Sequence, residues 1–184
     1  NGNMILGTDD GIFISNDYVY FWKIRNSSIP SVISCISRSV NNLLYVGTEL
    51  GVLVFSLDDI VSKIVVTSEN YNQKRYLDIT SIEVIDTSSG LVNNKINSIK
   101  IDANNIVWIC SDGGLTRYQR SSKSLINFTQ RNGLSSNKVL DIAIRNTAIR
   151  YIASSSGVDK MVGVNIERLD FDTINAPVAS ASVP

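Results

Sequence analysis

Histidine is absent from this 184-residue sequence, and its absence excludes several kinds of catalysis. Ser-His-Asp and Cys-His nucleophile systems depend on an imidazole base, so neither can operate here. Hydrolysis would have to depend on carboxylates, and sequential acidic pairs on a strand point to opposite faces. We therefore predict no catalytic residues and no enzyme activity. The acidic residues weighed for such chemistry are Asp9, Asp10, Glu49, Asp58, Asp59, Asp112 and Asp172.

Cysteine is nearly absent, with only Cys35 and Cys110, each inside a predicted strand. We predict that both are buried and act as small hydrophobic residues. A zinc site needs about four ligands, and the chain offers neither a Cys-x-x-Cys motif nor a histidine. No metal and no cofactor are predicted.

An excess of charge of either sign is also lacking, since 17 basic residues balance 17 acidic ones. Nucleic acid is not an expected partner, because phosphate binding needs a concentrated basic face. Long apolar runs are missing as well: residues 43–46 and 64–66 fall far short of the roughly 20 residues that span a bilayer, so membrane insertion is not predicted. The chain opens with Asn1 and shows no signal peptide, so we expect a processed or trimmed N-terminus.

The sequence contains one short motif in four copies. Each copy is an apolar run, small and polar residues, a glycine and a second apolar run, a pattern typical of two strands joined by a tight hairpin. The hairpin glycines are Gly11, Gly51, Gly114 and Gly157, separated by 40, 63 and 43 residues. A second motif, Gly-Leu-x-x-Asn-Lys, begins at Gly90 and at Gly133, and each copy lies 24 residues before a hairpin glycine.

Two linked motifs with a period of 40 to 45 residues predict the blades of a β-propeller. We expect an all-β fold of about four antiparallel four-stranded blades, which could be part of a larger ring. The best-formed copy predicts strands at 96–102, 106–111, 115–120 and 125–129. The second copy predicts 32–38, 43–48, 52–57 and 64–67, then an inserted loop near 68–78 and a further strand within 79–85.

The first copy begins in the middle of a blade at Met4, with no inner strand before it. We assign 1–171 to the blades. Residues 172–184 contain small residues and two prolines without periodicity, and we predict a linker or extended tail there. An alternative is that this segment pairs along an edge strand and closes the ring.

The two motifs resemble the repeat of the two-component regulator propeller family. The best match joins Gly90–Ile99 to the hairpin Trp108–Tyr118, and the next covers Gly133–Val158. Cys110 and Ala153 depart from the family pattern by replacing a small glycine. The resemblance implies a non-catalytic propeller that senses outside the cytoplasm, or a repeat platform in secreted and surface proteins, with blades often in larger numbers than four.

Blade topology predicts where a ligand would bind. If strands run outward from an axis, the turns after the second strand and the connectors into the first strand emerge on one face. That face carries amides, carboxylates and lysines that suit a protein, a polar small molecule or a glycan, although Asn side chains in such connectors also cap their own turns. The candidate residues are Asp9, Asp10, Glu49, Asp112, Asn94, Lys95, Asn137 and Lys138.

Three functions remain open on the sequence alone. The first is a non-catalytic binding or scaffolding module of an extracytoplasmic, bacterial sensor or surface protein, with other subunits or domains completing the ring. The second is a structural subunit of a large assembly, such as a phage virion or appendage. The third is a carboxylate-dependent lyase or glycosidase, which requires two acidic side chains converging in a central channel.

Overall fold

The fold is all-β and consists of four four-stranded sheets, as seen in a computed structural model that describes residues 2–64, 75–80 and 82–169. One short helix, α1, spans Leu57–Val61. The described strands are β1 Met4–Thr8, β2 Gly11–Ser15, β3 Trp22–Arg25, β4 Cys35–Arg38, β5 Leu43–Thr48, β6 Gly51–Ser56, β7 Tyr76–Asp78, β8 Glu83–Ile85, β9 Ile96–Ile101, β10 Val107–Ser111, β11 Gly114–Gln119, β12 Ser124–Phe128, β13 Val139–Ile144, β14 Ile149–Ser154, β15 Gly157–Val162 and β16 Asn165–Arg168.

Each sheet is one blade. Blade 1 has the strand order β1-β2-β3-β7, blade 2 is β4-β5-β6-β8, blade 3 is β9-β10-β11-β12, and blade 4 is β13-β14-β15-β16. The strand β9 contacts both β4 and β13 in the neighbouring blades, so these three strands form the inner side of the stack. All pairings are antiparallel except β3 with β7. The predicted propeller architecture is confirmed.

Every blade contains the same tight hairpin at the repeated motif. The four hairpin glycines all have φ between +108° and +149°, a region that disfavours residues with a side chain. A hydroxyl just before each turn, from Thr8, Thr48, Ser111 or Ser154, donates to the carbonyl of the hairpin glycine. The serine or threonine at this position of the repeat therefore serves this hydrogen bond, in addition to being small enough for the tight turn.

Apolar side chains fill the seams between neighbouring blades, because a four-stranded sheet buries both faces only by stacking. Three clusters result, one for each seam. The seam of blades 1 and 2 contains Ile12, Ile14, Leu44, Val46 and Leu53; that of blades 2 and 3 contains Tyr45, Val52, Val54, Ile99 and Ile109; that of blades 3 and 4 contains Trp108, Leu115, Phe128, Ile142 and Ile152.

The segment after β6 returns to blade 1, which the sequence did not predict. Helix α1 buries Leu57 and Ile60 in the first seam, and β7 then pairs parallel with β3 as the outer strand of blade 1. The predicted inserted loop near 68–78 overlaps this strand at 76–78, while 68–74 lie outside the described residues. Of the strand predicted at 64–67, only Ile64 is described, and it follows α1 without belonging to a strand. The strand expected within 79–85 is β8, which completes blade 2.

The two cysteines are free in the structure. Cys110 is fully buried and Cys35 is partly buried, so the prediction of burial is confirmed for Cys110 and only in part for Cys35. Burial raises the pKa of both thiols. The tail predicted at 172–184, and the residues 170–171 before it, lie outside the described residues.

Candidate functional site

The hairpin turns and the connectors that lead into the inner strands meet on one surface, which we name the connector face. In blade 3 the backbone N–H of Asp112 donates to the carbonyl of Lys95 over 3.2 Å. In blade 4 the N–H of Ser155 donates to the carbonyl of Lys138 over 3.0 Å. These equivalent contacts place each turn directly beside the connector of its own blade.

Asn94 and Asn137 hold the connectors in shape. The side-chain carbonyl of Asn94 accepts the backbone N–H of Thr87 over 2.8 Å, and that of Asn137 accepts the N–H of Gln130 over the same distance. Each hydrogen bond is donated by the first residue of a short 3-10 turn that ends at a left-handed glycine. Asn94 and Asn137 therefore hold the preceding turn against the connector, and their part in binding a ligand stays a prediction.

Lys95 and Asp112 come together on the connector face. The Lys95 Nζ lies 3.3 Å from the Asp112 Oδ2, and the side-chain amide of Asn97 donates to the Asp112 Oδ1 over 3.0 Å. Asn97 first, then Lys95 and Lys138, hold the pKa of Asp112 below its usual value against the opposing effect of burial. Asn97 was missed from the sequence because it lies inside a strand rather than in a turn.

Asp9, Asp10 and Glu49 lie apart from that pair. Asp10 forms an exposed ion pair with Lys23, whose Nζ is 2.5 Å from its Oδ1. Asp9 and Glu49 are exposed in the hairpin turns of blades 1 and 2. Across the described parts of the chain, no hydrogen bond or ion pair links either of them to Asp112.

A groove of about 520 Å³ runs along the inner strands β4, β9 and β13, and we name it the inner groove. Its charged lining consists of two cations, Arg38 and Lys100, and one carboxylate, Asp141. The full lining is Ser37, Arg38, Lys100, Ile101, Asp141, Ile142, Ala143 and Ile144. The sequence did not point to these side chains, because a place on the inner strands is decided by how the blades assemble.

The single carboxylate of the inner groove is already engaged. Asp141 accepts the hydroxyl of Ser98 over 2.6 Å and lies 3.6 Å from the Lys100 Nζ. Burial opposes ionisation, but these contacts and a backbone N–H hold the pKa of Asp141 below its usual value. The guanidinium of Arg38 is held by the side-chain carbonyl of Asn42. The groove therefore keeps an excess of positive charge.

A second groove, of about 490 Å³, lies at the outer edge of blade 1. Its two cations are matched by two carboxylates, since Lys23 pairs with Asp10 and Arg25 makes a two-point contact with Asp78. The inner groove is the better candidate for a charged ligand because its cations outnumber its carboxylates.

Within residues 2–64, 75–80 and 82–169, no group of three or more His, Cys, Asp or Glu side chains could hold a metal ion. The same residues include no helix with the length and hydrophobicity needed to cross a bilayer.

Comparison with known proteins supports the sequence interpretation. Residues 90–113 match the family model described as two component regulator propeller, which confirms the resemblance. No curated protein sequence matches the chain.

Solved structures share the fold at low sequence identity. The extracellular domain of the hybrid two component system BT3049 from B. thetaiotaomicron superposes with a TM-score of 0.70 at 12% identity, over 92% of this chain and 23% of that one. PorZ, a surface component of the type-IX secretion system of Porphyromonas gingivalis, gives 0.62 at 15%, over 88% and 24%. YCF48 bound to D1 peptide gives 0.55 at 14%, over 96% and 52%. The chain thus spans about a quarter of the first two structures and about half of the third.

Proposed function

We propose that this chain is a non-catalytic β-propeller module that binds an acidic segment of a protein partner, in the extracytoplasmic part of a bacterial sensor or surface protein. The observation that carries the proposal is the inner groove, where Arg38 and Lys100 outnumber the engaged carboxylate of Asp141. The repeat at 90–113 and two of the structural neighbours, one an extracellular domain and one a surface component, support the setting. YCF48 with its peptide supports protein binding on this fold.

The chemistry of the groove favours a partner with carboxylates. Both cations project from strands and not from loops, so their positions are set by the blade packing. Positive charge in a concave surface raises the local concentration of anionic segments and speeds their association. The partly exposed Ile101 and Ile144 provide apolar contact area beside the charges.

The test is a binding screen of the purified chain against immobilised peptides of matched length that are acidic, neutral or basic, together with a glycan array. We expect stable binding to acidic peptides, weakened by salt. Lys100→Gln removes one groove cation and is expected to weaken that binding about five- to tenfold, roughly 1 kcal/mol. Lys123→Gln, in the turn between β11 and β12, is the matched control and is expected to change nothing.

Equal binding by the two variants would refute the inner groove as the site. Binding confined to glycans, with no peptide retained, would refute a protein partner. Turnover of a screened compound without a stable complex would refute the non-catalytic assignment.

A further inference from the structure

The charged side chains of the inner groove follow a fixed order across the inner strands. Strand β9 contacts both β4 and β13, so it lies between them. The groove therefore presents Arg38 from β4, then Lys100 from β9, and then Asp141 from β13. Because two positive positions are followed by one negative position, a segment that lies across the three strands meets charges of both signs.

The repeat does not require an acidic residue at the place of Asp141. Asp141 pairs with the small residue that comes directly before the hydroxyl residue of the hairpin, and Cys35 and Ser98 make the same pairing in blades 2 and 3. The small residues that receive these pairings are Gly47, Cys110 and Ala153. Since uncharged side chains occupy this position in two other blades, the carboxylate of Asp141 is not needed to build a blade.

The carboxylate of Asp141 is held in one place and carries its charge. The hydroxyl of Ser98, a residue that is 8% exposed, donates to the Asp141 Oδ1 over 2.6 Å. The backbone N–H of Ile142 donates to the same carboxylate. With a pKa below its usual value, the group is ionised at neutral pH.

The contact with Lys100 leaves part of this carboxylate available to a ligand. The Lys100 Nζ lies 3.6 Å from the Asp141 Oδ1, which is longer than the roughly 2.7–2.9 Å of a charge-assisted hydrogen bond. The two side chains are 47% and 54% exposed, and an ion pair with that exposure is weak. A carboxylate has about four acceptor sites, so Asp141 can accept a further donor from outside the chain.

We propose that Asp141 selects a partner segment in which a basic side chain lies next to the acidic ones. The acidic side chains bind at Arg38 and Lys100, and the basic side chain binds at Asp141. An acidic side chain in that last place is disfavoured, because it would face a fixed charge of the same sign. Ser98 is a positioning residue, since it holds the carboxylate. The inference rests on the proposed function for the acidic segment and adds the charge of the residue beside it.

The experiment measures the affinity of the whole chain for glycine-serine peptides of one length. Each peptide carries two glutamates, followed at several spacings by a glutamine, a lysine or a third glutamate. We expect the lysine peptide to bind about three- to fivefold more tightly than the glutamine peptide at the best spacing, as for a half-exposed ion pair. The peptide with the third glutamate should bind no more tightly than the glutamine peptide, although it is the most acidic.

Asp141→Asn keeps an acceptor for the Ser98 hydroxyl and removes the charge. We expect this variant to lose the preference for lysine over glutamine and to bind the peptide with the third glutamate most tightly. Ser98→Ala should reduce the preference for lysine without reversing the order. If Asp141→Asn does not fold, Asp141→Ser carries the test, because β9 has a serine at this register.

Glu167→Gln is the matched control. It also removes one negative charge beside a lysine of blade 4, but Glu167 lies on the outer strand β16 and pairs with Lys160 over 2.8 Å. We expect Glu167→Gln to keep the wild-type order of the three peptides.

A lysine preference that persists in Asp141→Asn would overturn the inference, and so would a third glutamate that strengthens binding to the wild-type chain. The proposed function fails on a different variant, when Lys100→Gln binds acidic peptides as tightly as Lys123→Gln does. If Lys100→Gln weakens binding while Asp141→Asn leaves the order of the peptides unchanged, the inner groove is the site and the inference is wrong.

Discussion

Asp102→Asn tests a buried contact that ties blade 3 to blade 4. The Asp102 Oδ2 accepts the indole N–H of Trp108 over 3.1 Å and lies 3.4 Å from the Nη2 of Arg150, while its Oδ1 accepts two backbone N–H groups at 3.0 Å each. The guanidinium of Arg150 lies over the Trp108 ring, 4.1 Å from its centroid. The side chains of Asp102 and Arg150 are 1% and 6% exposed.

The substitution keeps the shape of the side chain and removes its charge. An asparagine can still accept the two backbone N–H groups, but its amide nitrogen would face two other donors. The buried Arg150 would lose its counter-charge, and breaking such a pair typically costs about 3–5 kcal/mol. That is a large part of the roughly 5–15 kcal/mol that holds a domain folded. We expect the free energy of unfolding to fall by about 3 kcal/mol or more.

The assay is urea unfolding at pH 7, followed by tryptophan fluorescence and far-ultraviolet circular dichroism. Asp78→Asn is the matched control, because Asp78 also pairs with an arginine, Arg25, but the two side chains are 71% and 49% exposed. An exposed pair contributes about 0–1 kcal/mol. Equal loss of stability in the two variants would refute the reasoning. In a double-mutant cycle, adding Arg150→Met to Asp102→Asn should cost less than the sum of the single changes.

Three further predictions concern packing, capping and acid. Gly47→Ala should lower the free energy of unfolding by about 1–3 kcal/mol in urea, because the new Cβ would lie 2.5 Å from the Cys35 Sγ; an unchanged midpoint would contradict this. Asn137→Ala removes the acceptor for the Gln130 N–H and should cost about 1 kcal/mol, a fall in Tm of about 2–4 °C by calorimetry; an equal or higher Tm would count against it. The pKa of Asp102 is lowered because the hydrogen bonds from Trp108 and the backbone outweigh burial. Its stabilising contribution is therefore present above the unfolded pKa of about 3.9 and is lost as pH falls through the lower folded value, so wild type and Asp102→Asn should converge in stability below that range. A stability gap that persists at acid pH would rule this out.

The strands of blade 3 could be predicted closely from the sequence. The predicted ranges 96–102, 106–111, 115–120 and 125–129 differ from the observed strands by one residue at each discrepant end. The positions were predictable because a glycine with positive φ is needed at each hairpin, and β-branched residues alternate on either side. Asn94 and Asn137 were located in the same way, through the motif that forms their turns.

Other features could not be read from the sequence. The strand β7 is three residues long and belongs to blade 1, although it lies in the chain between β6 and β8 of blade 2. Its place in blade 1 depends on tertiary contacts, such as those of Leu77 in the first seam. The inner groove likewise depends on which strand of each blade faces inward. Arg38, Lys100 and Asp141 are far apart in the chain and have no shared motif.

The amino-acid sequence by itself determined the blade, because hairpin glycines, capping side chains and alternating apolar residues act over short distances along the chain. Tertiary structure alone decided which charges meet: Asp102 with Arg150 across a seam, Arg38 and Lys100 along one groove. The physical reason is that local backbone preferences set each sheet, whereas stacking of the sheets sets the distances between side chains that the repeat does not encode.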